Sequence, residues 1–125
     1  KVTIMGNSGA APLVSSVQNL DENTFSQFVR SAQKPVIVDF WADWCQPCQQ
    51  MLPILEETAV QLDDRAIFAK VNTQTAPAVG FQYAIRTIPT LILFIHGQEV
   101  GRRAGVQTVA QLRQWLDSVS EPIER

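Results

Sequence analysis

The chain has 125 residues, 46% of them hydrophobic, and a formal net charge of −2. This length supports one domain with a buried core, and the charge excludes a strongly basic surface for nucleic acid or anionic membrane. No apolar run is long enough to span a bilayer, and residues 1–13 lack the apolar segment of a signal peptide. Two closely spaced cysteines are not the disulfide framework of a secreted domain, so a cytoplasmic location is favoured.

The composition divides the chain into three segments. Residues 1–12, rich in Gly, Asn and Ser, are expected to form a flexible tail, and residues 121–125 a second, polar tail. Residues 13–120 are expected to form the domain. Within it, residues 13–17 suit a short edge strand, and Asp21 is placed to cap the first helix.

The domain is organised around a strand that leads into two cysteines. Residues 36–40 are β-branched and apolar apart from Asp39, which predicts a strand covered on both faces. Cys45-x-x-Cys48 follows, and apolar residues then recur at spacings of three and four, which predicts a helix. Cys45 is therefore expected at, or just before, a helix N-terminus.

A helix N-terminus favours a negative charge, because free N–H groups and the positive end of the helix dipole lie there. The anion available is the thiolate of Cys45, and a thiolate is the form that attacks disulfides. Cys48 can then close an intramolecular disulfide, while Pro47 stiffens the turn and removes one N–H donor. We expect Cys45 to be the exposed thiol and Cys48 the shielded one.

Two other interpretations of the cysteine pair are structural burial and half of a metal site. A structural zinc needs four protein ligands, and the only further candidates are the lone His96 and scattered carboxylates. We therefore predict no metal site. The position of the pair at a strand-to-helix turn favours redox use.

The rest of the chain continues an α/β pattern. Residues 66–71 predict a second buried strand, and strand, helix and strand in this length predict a parallel pair with a right-handed crossover. A short helix over 76–83 and a hairpin that begins with strand 91–95 come next. Thr108 and Gln111 predict a capping box for the last helix.

Asp39 is unusual, because a carboxylate within a buried strand is costly unless it is paired or protonated. It is a candidate base for the proton of Cys48, or an acid at the strand end that caps a turn. Lys70 ends the neighbouring strand and is placed either to approach Asp39 or to extend along the surface.

Two tryptophans, Trp41 and Trp44, flank the turn that carries the thiols. Exposed aromatic side chains beside a reactive group often form a docking surface. Buried packing is the alternative for Trp41.

With these residues identified, the chain resembles the thioredoxins. The matching stretches recur in order and with matching spacing: residues 38–48, 53–55, 69–72 and 85–90, with Phe94, Gly97 and Gly105 in the final hairpin. The resemblance spans about residues 13–119. It implies an α/β thioredoxin fold, with a central mixed five-stranded sheet flanked by four helices, and dithiol–disulfide exchange.

The resemblance also implies roles for individual residues. Cys45 is the expected attacking thiol and Cys48 the resolving one, with Asp39 as the buried acid and Lys70 as its neighbour. Pro89 is expected to be a cis proline. The expected substrate contacts flank the thiols and are Trp41, Trp44, Gln46, Pro47, Thr87, Ile88 and Pro89.

Two positions depart from the family pattern. Thioredoxins usually have Gly where this chain has Gln46, and Lys or Arg where it has Gln49. The residues between the thiols tune thiolate stability, and the missing cation removes a charge near the site. The reducing strength is therefore less constrained than the fold.

The first functional hypothesis is a monomeric protein-disulfide reductase that acts through its Cys45–Cys48 disulfide, with no bound cofactor. Its partners are disulfide-containing proteins and, by family resemblance, a flavin-dependent thioredoxin reductase. Two alternatives keep the fold: an oxidant or isomerase in an oxidising compartment, and a redox or chaperone binding domain of a larger protein. The reduction potential distinguishes the reductase from the oxidant or isomerase.

Overall fold

The structure is a computed structural model, and it describes residues 16–120. The tails predicted over 1–12 and 121–125 lie outside the described residues, as do residues 13–15 of the predicted edge strand. The strands are β1 (Val17–Leu20), β2 (Val36–Trp41), β3 (Ile67–Asn72), β4 (Thr90–Ile95) and β5 (Gln98–Ala104). The helices are α1 (Phe25–Ser31), α2 (Gln46–Gln61), α3 (Pro77–Gln82) and α4 (Val109–Ser120).

The five strands form one mixed sheet in the order β1-β3-β2-β4-β5. β3 lies parallel to both β1 and β2, and α2 provides the crossover that a parallel β2–β3 pair requires. β4 runs antiparallel to β2 and β5. The predicted mixed five-stranded sheet with four helices is confirmed. It places the end of β2 at the centre of one edge of the sheet.

Alternation of side chains along β2 separates two hydrophobic layers. Ile37 contributes to the layer that contains residues of α2 and α4, while Val36, Val38 and Phe40 contribute to the layer with α1 and α3. Asp39 is two residues after Ile37, so its side chain lies on the same face of the sheet, which α2 covers. The buried carboxyl group therefore lies on the same side of the sheet as α2, the helix that carries Cys48.

The beginning of the domain differs from the prediction. Among the described residues β1 extends over Val17–Leu20, so the described part of the predicted 13–17 strand, residues 16 and 17, meets β1 at Val17 alone. Asp21 is not the cap of α1, because its carboxylate accepts the N–H groups of Asn23 and Thr24 in the preceding turn. α1 begins only at Phe25.

Local signals later in the chain are confirmed. Gln111 Oε1 accepts the N–H of Thr108 at 2.9 Å, and Thr108 Oγ1 accepts the N–H of Gln111 at 3.1 Å, which is the predicted capping box. The β4–β5 hairpin turns at His96 and Gly97, with φ values of 51° and 81°. Two consecutive positive φ values are typical of the type I′ turn that joins antiparallel strands.

Candidate active site

The two cysteines lie where β2 leads into α2. Cys45 is the N-cap of α2, and its Sγ accepts the backbone N–H of Cys48 at 3.2 Å. Pro47 lies in the first turn of the helix, where a missing N–H leaves no intrahelical bond unmade. The predicted placement of Cys45 at a helix start is confirmed. Its sulfur accepts a hydrogen bond from an N–H group and lies at the positive end of the helix dipole.

Cys45 and Cys48 form a disulfide, with their Cα atoms 5.2 Å apart. Cys48 has no exposed surface and Cys45 is 4% exposed. The order of exposure agrees with prediction, but the expectation of an exposed Cys45 thiol is wrong for the disulfide form. The carbonyl oxygen of Ile88, on a different loop, lies 3.6 Å from Cys45 Sγ and helps to enclose it.

The loop before β4 carries Ile88 to the disulfide. The Ile88–Pro89 peptide bond is cis, as predicted. The Thr90 hydroxyl donates a hydrogen bond to the carbonyl of Thr87 at 2.6 Å, which closes the loop on itself. Pro89 is buried, while Thr87 is exposed beside it. This loop and the start of α2 together form the surroundings of Cys45.

Asp39 is completely buried, and neither carboxylate oxygen has a hydrogen-bond partner among the described residues. Burial raises its pKa from an ordinary 3.8 to about 7, because the charged form loses hydration. The positive charge of Lys70 acts in the opposite direction and lowers the pKa. Asp39 can therefore both hold and release a proton near neutral pH.

Lys70 pairs in register with Asp39 across the parallel strands β2 and β3. Its ammonium lies over the ring of Trp41, with Nζ 5.5 Å from the ring centroid. This is a cation–π distance. Trp41 is half-buried, and its Nε1 is buried without a hydrogen-bond partner among the described residues. Trp41 is thus partly covered by the ammonium group of Lys70.

Trp44 differs from Trp41, because 71% of its surface is exposed. It lines a groove of about 350 Å³ that reaches the loop before β4. The lining residues are Trp44, Thr73, Pro77, Gly80, Phe81, Ile85, Arg86 and Ile88. Of the predicted substrate contacts, only Trp44 and Ile88 line this groove. Gln46 and Pro47 are exposed at the start of α2.

Sequence reasoning missed the role of two glutamines that hold the turn before Cys45. Gln74 Oε1 accepts the N–H of Asp43 at 3.0 Å, and Gln49 Nε2 donates to the carbonyl of Asp43 at 3.2 Å. The same peptide segment is therefore held from two directions, immediately before Trp44. At Gln49 the sequence indicates only a missing positive charge, and nothing local to Gln74 indicates a contact with a residue 31 positions away.

Residues 16–120 also bear on two other kinds of site. No group of three or more His, Cys, Asp or Glu side chains in this range is arranged to hold a metal ion. Over the same residues, no helix has the length and apolar character needed to cross a membrane.

The fold and site define a class: a protein with a redox-active Cys-x-x-Cys at the start of a helix beside a cis-proline loop. A family model described as Thioredoxin matches residues 16–118. The chain belongs to the thioredoxin family, and it is a dithiol–disulfide oxidoreductase that works through its own disulfide.

Curated relatives agree with this assignment. A thioredoxin-like protein of Synechocystis sp. is 47% identical over 92 residues, which are 74% of this chain and 88% of that protein. The thioredoxin of Acidithiobacillus ferridurans is 46% identical over 99 residues, covering 79% and 92% of the two chains. Thioredoxin 1 of Nostoc sp. is 40% identical over 104 residues, covering 83% and 97%.

Proposed function

We propose that this protein reduces disulfides of target proteins, with Cys45 as the attacking thiol and Cys48 as the resolving one. The Cys45 thiolate attacks one substrate sulfur, the substrate S–S bond breaks, and the departing thiolate takes up a proton. The Cys48 thiolate then attacks Cys45 Sγ in the mixed disulfide and expels the second substrate thiolate. The substrate gains two electrons and two protons, and the Cys45–Cys48 disulfide forms.

The observation that carries the assignment of roles is the position of Cys45 Sγ. It caps α2 and accepts the N–H of Cys48 at 3.2 Å. Such an acceptor position stabilises a thiolate, which is the form that attacks disulfides. Cys48 is fully buried, so it suits an intramolecular step that no outside molecule needs to reach.

Asp39 is the proposed base for the second step. A carboxyl group with a pKa of about 7 accepts a proton at neutral pH and later returns it. Its position on the face of the sheet that α2 covers supports this role, because α2 carries Cys48. Lys70 is the proposed tuning residue, because its charge lowers the pKa of Asp39 against the effect of burial.

The proposed substrate surface consists of the residues around the disulfide. Ile88 lies beside Cys45 Sγ and has main-chain atoms available for an extended substrate segment, as in strand addition. The exposed Trp44 supplies apolar contact area. The remaining proposed contacts surround these two: Trp41, Gln46, Pro47, Thr87 and Pro89.

Regeneration of the dithiol is assigned to a flavin-dependent thioredoxin reductase, since the family generally works with one. We place the protein in the cytoplasm, as a monomer that needs no bound cofactor.

The test is reduction of insulin disulfides with NADPH and a bacterial thioredoxin reductase, alongside a redox titration against glutathione. The proposal predicts NADPH-dependent reduction that is lost in Cys45→Ser, and a potential at or below that of the cytosolic glutathione pool. A potential near those of the strong oxidants, with no insulin reduction, would instead support the oxidant alternative.

A further inference from the structure

Two aromatic side chains on the surface of the described residues have no role in the core. Phe81 is 87% exposed and Trp44 is 71% exposed, the highest values among the exposed large hydrophobic residues. α3 buries Val79 and Gly80, so Phe81 is on the opposite side of that short helix. Single exposed apolar residues are common, but two that line one groove mark an interaction surface.

The groove is continuous with the reactive sulfur. Ile88 lines the groove, and its carbonyl oxygen lies 3.6 Å from Cys45 Sγ. A polypeptide segment whose cysteine reacts at Cys45 therefore passes the mouth of the groove. The floor is apolar in character, because the Thr73 hydroxyl is turned to the carbonyl of Trp41 at 3.0 Å. Gly80 has no side chain to fill the space beside Thr73.

The groove carries one charge. Arg86 is the only ionisable residue among its lining residues, and it is exposed. Its guanidinium has no ion pair or hydrogen bond with another described residue. A carboxylate in the occupant complements this charge, whereas a Lys or Arg at the same place is repelled.

We propose that Phe81 and Arg86 select among target disulfides. The favoured target carries a bulky apolar side chain that contacts Phe81 and Trp44, and an acidic side chain that pairs with Arg86, both within a few residues of the attacked cysteine. This inference rests on the proposed function, because it specifies the substrates of that same site. Phe81 and Arg86 act on binding and not on the exchange chemistry.

The experiment uses short synthetic peptides with one cysteine blocked as its neutral S-methyl disulfide. The variable pair is Leu-Glu, Leu-Gln, Ser-Glu, Ser-Gln or Leu-Lys, placed before the cysteine in one series and after it in another. The second-order rate constant for oxidation of the reduced protein is measured for each peptide. Hydroxyethyl disulfide, which is too small to occupy the groove and the reactive sulfur together, measures the exchange chemistry alone.

In at least one series, the wild type is expected to prefer Leu-Glu over Ser-Gln by roughly tenfold, from one apolar contact and one ion pair. Phe81→Ser is expected to remove the preference for Leu, and Arg86→Gln the preference for Glu. Added salt is expected to weaken the preference for Glu only. All variants are expected to reduce hydroxyethyl disulfide at the wild-type rate.

Two variants serve as matched controls. Val60→Ser removes an exposed apolar side chain from α2, and Arg113→Gln removes an exposed guanidinium from α4. Neither residue lines the groove, so both variants are expected to keep the wild-type preferences.

The outcomes separate two kinds of failure. If the reduced wild type reacts neither with hydroxyethyl disulfide nor with any peptide, the proposed function is wrong. If it reacts with all the peptides of both series within twofold, the proposed function stands and the selection is wrong. A preference that survives in both Phe81→Ser and Arg86→Gln also overturns the assignment to this groove.

Discussion

Asp39 and Lys70 are paired in register across two parallel strands, yet the Lys70 ammonium lies over the Trp41 ring and not on the carboxylate. Both oxygens of Asp39 are left without a hydrogen-bond partner among the described residues. Desolvation therefore outweighs the attraction of Lys70, and the pKa of Asp39 is raised to about 7. The raised pKa of Asp39 affects both the stability of the fold and the turnover of disulfides.

Asp39→Asn is expected to stabilise the fold at and above neutral pH. The pKa of Asp39 is about 7 in the folded state and 3.8 ordinarily, so ionisation favours the unfolded chain. The resulting loss of unfolding free energy is absent below about pH 4, grows between pH 4 and 7, and is constant above pH 7. It reaches about 4 kcal/mol, from about three pKa units at 1.36 kcal/mol each.

Urea unfolding of wild type and Asp39→Asn at pH 4 and pH 8 measures this effect. The difference in unfolding free energy between the two proteins should increase strongly from pH 4 to pH 8. Asp43→Asn is the control, because Asp43 is exposed. A difference that does not change with pH would show that Asp39 is not held with a raised pKa.

The same Asp39→Asn substitution is expected to slow resolution of the mixed disulfide on the order of 100-fold at pH 7, the usual size of a general-base contribution. The initial attack by Cys45 should change much less. Rapid quenching followed by mass spectrometry separates the two steps. If resolution remains as fast as in wild type, Asp39 is a structural residue only.

Gln49→Ala is expected to release one side of the turn that precedes Trp44. The lost hydrogen bond, from Gln49 Nε2 to the carbonyl of Asp43, is exposed and contributes about 1 kcal/mol or less to stability. We expect a several-fold lower rate of attack on protein disulfides, because Trp44 and Cys45 are then held less firmly. Gln50→Ala removes the neighbouring exposed amide and should leave the rate unchanged.

Gln46→Gly is expected to shift the reduction potential and to retain reductase activity. Gln46 is exposed, lies between the thiols and has no ionisable group, so it takes no proton in the exchange. Glycine at the first residue of α2 also weakens the helix start, by up to about 1 kcal/mol. Equilibration with glutathione measures the potential. Complete loss of activity would reveal a direct role for the Gln46 side chain.

Much of this architecture could be predicted from sequence because its signals are local. The apolar run of β2, the Cys45-x-x-Cys48 spacing and the capping box of Thr108 and Gln111 each act within a few residues. The burial of Asp39 was also predictable, since it lies inside an apolar strand. These features place the disulfide and the acid before any tertiary contact is known.

Other features could not be predicted because distant segments create them. The groove joins Trp44 to Phe81 and Arg86, which belong to segments about 40 residues later in the chain. In isolation, Phe81 looks like an ordinary apolar residue of a short helix. The predicted role of Asp21 as the cap of α1 was wrong for a different reason. Its carboxylate accepts N–H groups in the turn before α1, and the residue types that cap helices also favour turns.

The most direct test of the central claim is trapping of the mixed disulfide in the two single-cysteine variants. Reduced Cys48→Ser and reduced Cys45→Ser are each mixed with a disulfide-containing protein, and the products are identified by intact mass and peptide mapping. The account predicts that Cys48→Ser accumulates a one-to-one covalent adduct through Cys45, because the resolving thiol is missing, and that Cys45→Ser forms almost none. Adduct formation through Cys48 at an equal or higher rate would contradict the assignment of Cys45 as the attacking thiol.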